Sequence, residues 1–261
     1  MKGMKERKKY LIVVAAGSGK RMGGKLPKQY LQLEGKTVLQ RSIEAFSRTI
    51  PGLKVVTVLA PEMKEHWKQC CYDAHFDCSQ SLVAGGLTRF HSIRNALECI
   101  PDDAVVAVHD GVRPLVSPRM VLRLFNLAEQ FDGVVPCLPM TDTLRILSPA
   151  GDARTAPVAE SQSLFVFDAS APALVSRDRL FSIQTPQIFD APLLKAAYRL
   201  PFETCFTDDG SVVEKYLAGH PESPARIVYA PGEKTNIKLT TPEDLTLARA
   251  ILALPEGDMQ A

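Results

Sequence analysis

Four short apolar runs recur along the chain, at Leu11-Ile12-Val13-Val14, Val55-Val56-Thr57-Val58, Ala104-Val105-Val106-Ala107-Val108 and Val134-Val135, with amphipathic stretches of helical length between them. β-branched residues dominate the runs, which predicts strands alternating with helices. Successive positions within a run are apolar, so both faces of each strand are expected to be covered. That pattern belongs to an α/β fold, a doubly wound and mainly parallel sheet with helices on both faces. Helix starts are legible at Ser117-Pro118 and Thr241-Pro242, where a hydroxyl can cap the first turn and proline fills the first helical position. The second of these predicts a terminal helix through about Leu252.

Between Thr143 and Arg177 the alternation stops. This stretch is rich in Pro, Ala and Ser, with short β-like pieces at Leu144 to Leu147 and Leu164 to Phe167. A connection of this length inside a compact domain is usually functional or projecting. We therefore expect one domain over residues 1–261 with a projecting arm, residues 144–176, inserted within it.

Composition narrows the classes. The 261 residues are 46% hydrophobic, enough to bury a sizeable core, and 31 basic against 29 acidic residues leave a formal net charge of +2. No overall electrostatic footprint argues for nucleic acid, so any bound anion must be held locally. Six cysteines show no C-x-x-C spacing, and the five histidines form no H-x-x-x-H pair, so neither a disulfide scaffold nor a zinc site is expected. The basic Lys2 to Lys9 followed by apolar Leu11 to Ala16 superficially copies a signal peptide, but the apolar run is too short and passes straight into a glycine-rich loop. A soluble cytoplasmic protein without a membrane segment is expected.

That loop reads Ala15-Ala16-Gly17-Ser18-Gly19-Lys20-Arg21-Met22-Gly23-Gly24-Lys25-Leu26-Pro27-Lys28-Gln29. A dinucleotide fingerprint starting at Gly17 fails at Met22, where a small residue is needed. A P-loop starting at Gly19 fails at Leu26, where a hydroxyl should meet magnesium. What remains is a backbone-rich anion nest, its glycines free to turn successive N–H groups toward one phosphate chain, with Arg21 and Lys28 adding fixed charge.

The segment Ala15-Ala16-Gly17-x-Gly19-x-Arg21-Met22 with Pro27-Lys28-Gln29-Tyr30 resembles the cytidylyltransferases that activate methylerythritol phosphate for isoprenoid synthesis. Further matching motifs follow in order: Gly85-Gly86-x-x-Arg89-x-x-Ser92, His109-Asp110-x-x-Arg113-Pro114, Asp142-Thr143, Gln184-Thr185-Pro186-Gln187, Thr207-Asp208-Asp209 and Asn236-Ile237-Lys238. The resemblance implies a Rossmann-like nucleotidyltransferase fold whose arm serves dimerisation, and transfer of cytidylyl from CTP to a sugar-alcohol phosphate with release of pyrophosphate. It implies magnesium bound mainly through the CTP phosphates, and a homodimer whose arms exchange contacts.

It also implies roles. Arg21 and Lys28 stabilise the triphosphate, while Lys238 and Arg177 position the attacking phosphate, with Arg179 as the alternative register. Ala15, Ala16, Gly17, Gly19, Gly85, Gly86, Arg89, Ser92 and Asp110 bind the nucleotide; Asp110, Arg113, Thr143 and Thr207 enclose the acceptor. Asp208 and Asp209 have a simpler reading as acids at a helix start, satisfying exposed N–H groups. Charge repulsion between a phosphate dianion and a triphosphate is the first obstacle to such a reaction, so cations around the reacting oxygens are expected to supply most of the catalysis. Two alternatives remain: a ribitol-phosphate cytidylyltransferase, differing in the acceptor pocket alone, and a non-catalytic nucleotide-binding regulatory module. The bases at both the triphosphate and the acceptor positions argue against the module.

Overall fold

The computed structural model describes residues 7–17, 26–144, 148–149, 165–166 and 176–254, which fall into a main unit, Met1–Cys137 with Ile183–Ala261, and a second unit, Leu138–Ser182. The chain begins with β1 (Lys8–Ala15), a small hairpin of β2 (Gln32–Leu33) and β3 (Lys36–Thr37), and α1 (Val38–Ser47). Alternation continues with β4 (Lys54–Leu59), α2 (Lys64–Asp73), β5 (Gln80–Ala84), α3 (Arg89–Leu97), β6 (Ala104–Asp110), α4 (Pro118–Leu127) and β7 (Gly133–Pro139). The second unit holds a short antiparallel pair, β8 (Ser148–Pro149) with β9 (Phe165–Val166), and most of β10 (Phe181–Ile183). Near its base the Met140 N–H donates to the Leu180 carbonyl at 3.0 Å. The main unit resumes through β11 (Gln187–Asp190), α5 (Ala191–Ala197), α6 (Asp209–Ala218), β12 (Ile227–Pro231) and α7 (Pro242–Leu252).

The strands of the main unit lie in the order β7, β11, β6, β1, β4, β5, with β12 beside β7. β1 runs parallel to both β4 and β6, β4 to β5, and β7 to β12, whereas β11 is antiparallel to its neighbours β6 and β7. Successive residues of β1 serve opposite faces. Leu11 and Val13 join Phe46, Trp67 and Leu124 in one core, while Ile12 joins Phe90, Ile93, Leu194 and Val212 in the other. Helices α1, α2 and α4 thus cover one face and α3, α5 and α6 the other, the doubly wound sandwich that the apolar runs imply.

A third apolar cluster of Leu33, Val38, Val112, Leu239 and Ala248 packs α7 and the β2–β3 hairpin against the turn that follows β6. Ser117 caps α4 as expected, its hydroxyl accepting the Met120 N–H at 3.0 Å. At α7 Thr241 caps in a reciprocal box: its hydroxyl faces the Asp244 N–H while the Asp244 carboxylate reaches back to accept the Thr241 N–H at 2.8 Å. Among the described residues no helix is long and apolar enough to cross a membrane.

Candidate active site

The parallel strands end together. β1 stops at Ala15, flanked by β6 ending at Asp110 on one side and by β4 and β5 on the other. The chain winds away from β1 in both directions, so this carboxyl edge carries the crevice in which α/β sheets collect ligands. Two close approaches seal it. The Gly111 N–H donates to the Val14 carbonyl at 2.9 Å and the Gly85 N–H to the Leu59 carbonyl at 2.7 Å.

Gly85 has no room for a side chain, since a Cβ there would lie 2.4 Å from the Ala16 Cβ; at Gly86 it would lie 2.5 Å from the His91 Cβ. Ser92 ties the same loop down, accepting the Gly86 N–H at 3.0 Å and donating to the Thr88 carbonyl at 2.9 Å. Opposite, buried Gln29 donates from Nε2 to the carbonyls of Ala15 at 2.7 Å and Gly17 at 2.9 Å, fixing the backbone where the glycine-rich loop leaves the sheet. Lys28 stands next to it on a single helical turn, Lys28–Tyr30.

Asp110 centres a pocket of about 220 Å³ lined by Arg89, Arg113, Gln184, Thr207, Asp208 and Lys238, among others. Three cations surround its carboxylate: Lys238 Nζ at 3.0 Å, Arg113 Nε at 3.5 Å and Arg89 Nε at 3.6 Å. Burial alone would raise the Asp110 pKa, but Arg89, Lys238 and Arg113 outweigh it and hold the carboxyl well below the usual carboxylate range. Asp110 is therefore an anion and an acceptor at every physiological pH. Asp208 lines the same pocket and Asp209 pairs with Arg89, so three cations face three carboxylates, and Lys238, its side chain 42% exposed, is the cation open to an incoming anion.

The cations are placed by a buried polar scaffold. The Asp110 N–H donates to the Thr185 hydroxyl at 3.1 Å, and that hydroxyl meets His109 Nδ1 at 3.1 Å. Having accepted from Asp110, Thr185 gives its own proton to Nδ1, which leaves Nε2–H of a neutral imidazole to donate to the Arg113 carbonyl at 3.0 Å. Burial is the main cause that lowers the His109 pKa, to about 4, consistent with that neutral tautomer. Arg113 Nη1 donates to the Asn236 carbonyl at 2.8 Å, Asn236 Nδ2 to the Thr185 carbonyl at 2.9 Å, and the Leu239 N–H to the Val112 carbonyl at 2.9 Å. These bonds clamp the segment 236–239 on both sides of Lys238. Lys238 lies in the irregular segment between β12 and α7; Leu239 is buried and Lys238 lines the pocket.

Of the residues singled out from sequence, the structure gathers Arg89, Asp110, Arg113, Thr207 and Lys238 in one pocket, and sets Ala15, Ala16, Gly17, Gly85, Gly86 and Ser92 along the neighbouring strand ends. Arg89 stands between two carboxylates, 3.6 Å from Asp110 and 2.7 Å from Asp209. Gly19 and Arg21 lie outside the described residues. Thr143 and Arg177 belong to the second unit, both exposed, where Arg177 Nη1 donates to the Thr141 carbonyl at 2.9 Å. Residues that sequence reading passed over are His109, Thr185 and Asn236 as scaffold, and Gln29 as the anchor of the loop. Each stands inside a quoted motif, which was the available signal.

A family model described as 2-C-methyl-D-erythritol 4-phosphate cytidylyltransferase matches residues 10–254. A protein of that name from Bacteroides thetaiotaomicron is 40% identical over 245 residues, covering 94% of this chain and all of its own length. One from Porphyromonas gingivalis is 40% identical over 247 residues, covering 95% of this chain and 99% of its own. Among solved structures, the 4-diphosphocytidyl-2C-methyl-D-erythritol synthase of Anaerococcus prevotii superimposes with a TM-score of 0.71 at 26% identity, covering 95% of this chain and 97% of its own.

Proposed function

The chain belongs to the 2-C-methyl-D-erythritol 4-phosphate cytidylyltransferase family, and from that premise we propose how its residues divide the work of the reaction. It is a nucleotidyltransferase that moves a cytidylyl group from CTP to 2-C-methyl-D-erythritol 4-phosphate in isoprenoid precursor biosynthesis. A phosphate oxygen of the acceptor attacks the α-phosphorus of CTP; the new P–O bond forms as the bond to the β-phosphate breaks, and pyrophosphate leaves with the electron pair. No protein nucleophile is needed, and positioning with charge stabilisation supplies the rate.

The observation that carries the assignment of roles is the Asp110 carboxylate ringed by Arg89, Arg113 and Lys238 at the sheet's carboxyl edge. Asp110 accepts hydroxyls of the acceptor polyol and of the ribose, and Thr207 adds a hydroxyl contact at the pocket mouth. Lys238, with a side chain 42% exposed, turns from Asp110 to the acceptor phosphate, and Arg177 supplies the second cation. Arg113 stays in place, held from below by the Asn236 carbonyl. The backbone from Ala15 to Gly19 with Arg21 and Lys28 holds the triphosphate, and the base lies against Gly85, Gly86 and Ser92.

Magnesium would be carried mainly by the CTP phosphates and would supply neutralisation of charge on the triphosphate and leaving group. Asp110 is already engaged by three cations, which suits an ion carried mainly by phosphate oxygens. The arm, residues 144–176, serves a homodimer, with Thr143 and Arg177 at its two ends reaching the partner's pocket; the family resemblance supports this. Free cysteines at all six positions and a CTP substrate support a cytoplasmic location.

The test incubates the protein with CTP and magnesium, offers methylerythritol phosphate and ribitol phosphate separately, and follows pyrophosphate. Release that depends on methylerythritol phosphate is expected. Release with ribitol phosphate instead would move the acceptor, and release with neither would leave a nucleotide-binding module.

A further inference from the structure

Arg89 occupies the first position of α3, where a cation meets the unfavourable end of the helix dipole. Something must hold it there. Asp209, the first residue of α6 and completely buried, does so through both terminal nitrogens: Nη1 donates to Oδ1 at 3.1 Å and Nη2 to Oδ2 at 2.7 Å. Behind Asp209 the buried Tyr198 hydroxyl donates to the same Oδ1 at 2.6 Å. Tyr198 is itself immobilised by stacking on Phe90, with ring centroids 4.7 Å apart.

The acids of this tripeptide thus diverge. Asp208 caps α6 by accepting the Ser211 N–H at 3.0 Å, as an acid at a helix start should. Asp209 spends its carboxylate on a residue 120 positions away. A buried bidentate pair has well-defined geometry but is a poor device for stability alone, because desolvating both charges offsets much of their attraction. Its consequence lies in the pocket. Arg89 is pulled onto Asp209 at 2.7 Å and stands off from Asp110 at 3.6 Å.

We propose that Asp209, backed by Tyr198, is a positioning residue of the acceptor pocket: it holds the Arg89 guanidinium back from Asp110 so that an Asp110 oxygen stays open to substrate hydroxyls. Arg89 then acts as a fixed positive wall beside Asp110, on the acceptor side of the site. Without the Asp209 charge, Arg89 closes on Asp110 in a direct pair and competes with the acceptor. The inference rests on the assignment of the Asp110 pocket to the acceptor made above.

The test measures KM for each substrate and kcat in the wild type, Asp209→Asn, Arg89→Gln, the double variant and Tyr198→Phe, with thermal unfolding of each. Asp209→Asn is expected to raise KM for methylerythritol phosphate by about tenfold, the scale of coupling within a shared network, and KM for CTP by less, since the ribose meets Asp110 but the nucleotide is held mainly by the loops around Ala15 and Gly85. Combined with Arg89→Gln, it is expected to add nothing, because its effect passes through Arg89. Tyr198→Phe removes one hydrogen bond and keeps the packing, and is expected to raise the acceptor KM by about threefold in the same direction. Should Asp209→Asn fail to fold, Tyr198→Phe decides: an unchanged acceptor KM overturns the proposal. So does an Asp209→Asn enzyme whose acceptor KM stays within about twofold of wild type, or a double variant in which the two effects add. A wild-type chain inactive toward methylerythritol phosphate would instead overturn the preceding assignment of the pocket.

Discussion

Replacing Lys238 by alanine separates catalysis from stability. Among the described residues Lys238 makes one ion pair, to Asp110 at 3.0 Å, and its side chain is 42% exposed. A pair in that setting contributes about 0–1 kcal/mol to folding, and Asp110 keeps two other cations, Arg113 and Arg89, at 3.5 and 3.6 Å. The clamps around position 238 are made by Asn236 and the Leu239 backbone and survive the change. The melting temperature should therefore move by no more than about 4 °C. Turnover should suffer far more. A preorganised cation facing the attacking phosphate is worth about 3–4 kcal/mol in the transition state, or a 100- to 1,000-fold loss of kcat/KM for the acceptor. Lys238→Arg, which keeps the charge but not the compact point geometry, should recover part of that loss. The assay is pyrophosphate release at saturating CTP and magnesium with the acceptor varied, alongside calorimetry. A kcat/KM within about fivefold of wild type, or a loss accompanied by a collapse in melting temperature, would refute this reasoning.

Two other outcomes follow from the scaffold. Gln29→Leu removes both bonds that hold the Ala15 and Gly17 carbonyls; at about 1 kcal/mol each the fold should lose about 2 kcal/mol, read by urea unfolding, and KM for CTP should rise while the acceptor KM does not. Burial lowers the His109 pKa from 6.5 in a free side chain to about 4 in the fold, so the unfolded chain binds the proton first as pH falls. Its contribution is full above about pH 6.5 and is lost progressively down to about pH 4, amounting to about 3 kcal/mol. Unfolding midpoints across that window should fall in the wild type and fall less steeply in His109→Gln.

The sequence made parts of this architecture legible and concealed others for physical reasons. Strands β1, β4 and β6 announce themselves because both faces are buried, leaving unbroken apolar runs. Edge strand β5, whose residues are only partly buried or exposed, and the four-residue β11 lack such runs and were not legible. Asp110 is legible through the motif His109-Asp110-x-x-Arg113-Pro114, which directly follows the apolar run ending at Val108, and β6 extends to include it. Arg89 stands in the Gly85-Gly86-x-x-Arg89 motif, but its buried partner Asp209 lies 120 positions away, and no local pattern announces such a pair. Asp208 and Asp209 look equivalent in the sequence; only packing distinguishes the cap from the clamp.

The most direct measurement is a crystal structure of the protein with methylerythritol phosphate. The expected density places polyol hydroxyls within hydrogen-bonding distance of Asp110 and the phosphate against Lys238. An acceptor seated away from both, in an active enzyme, would contradict the assignment of this pocket.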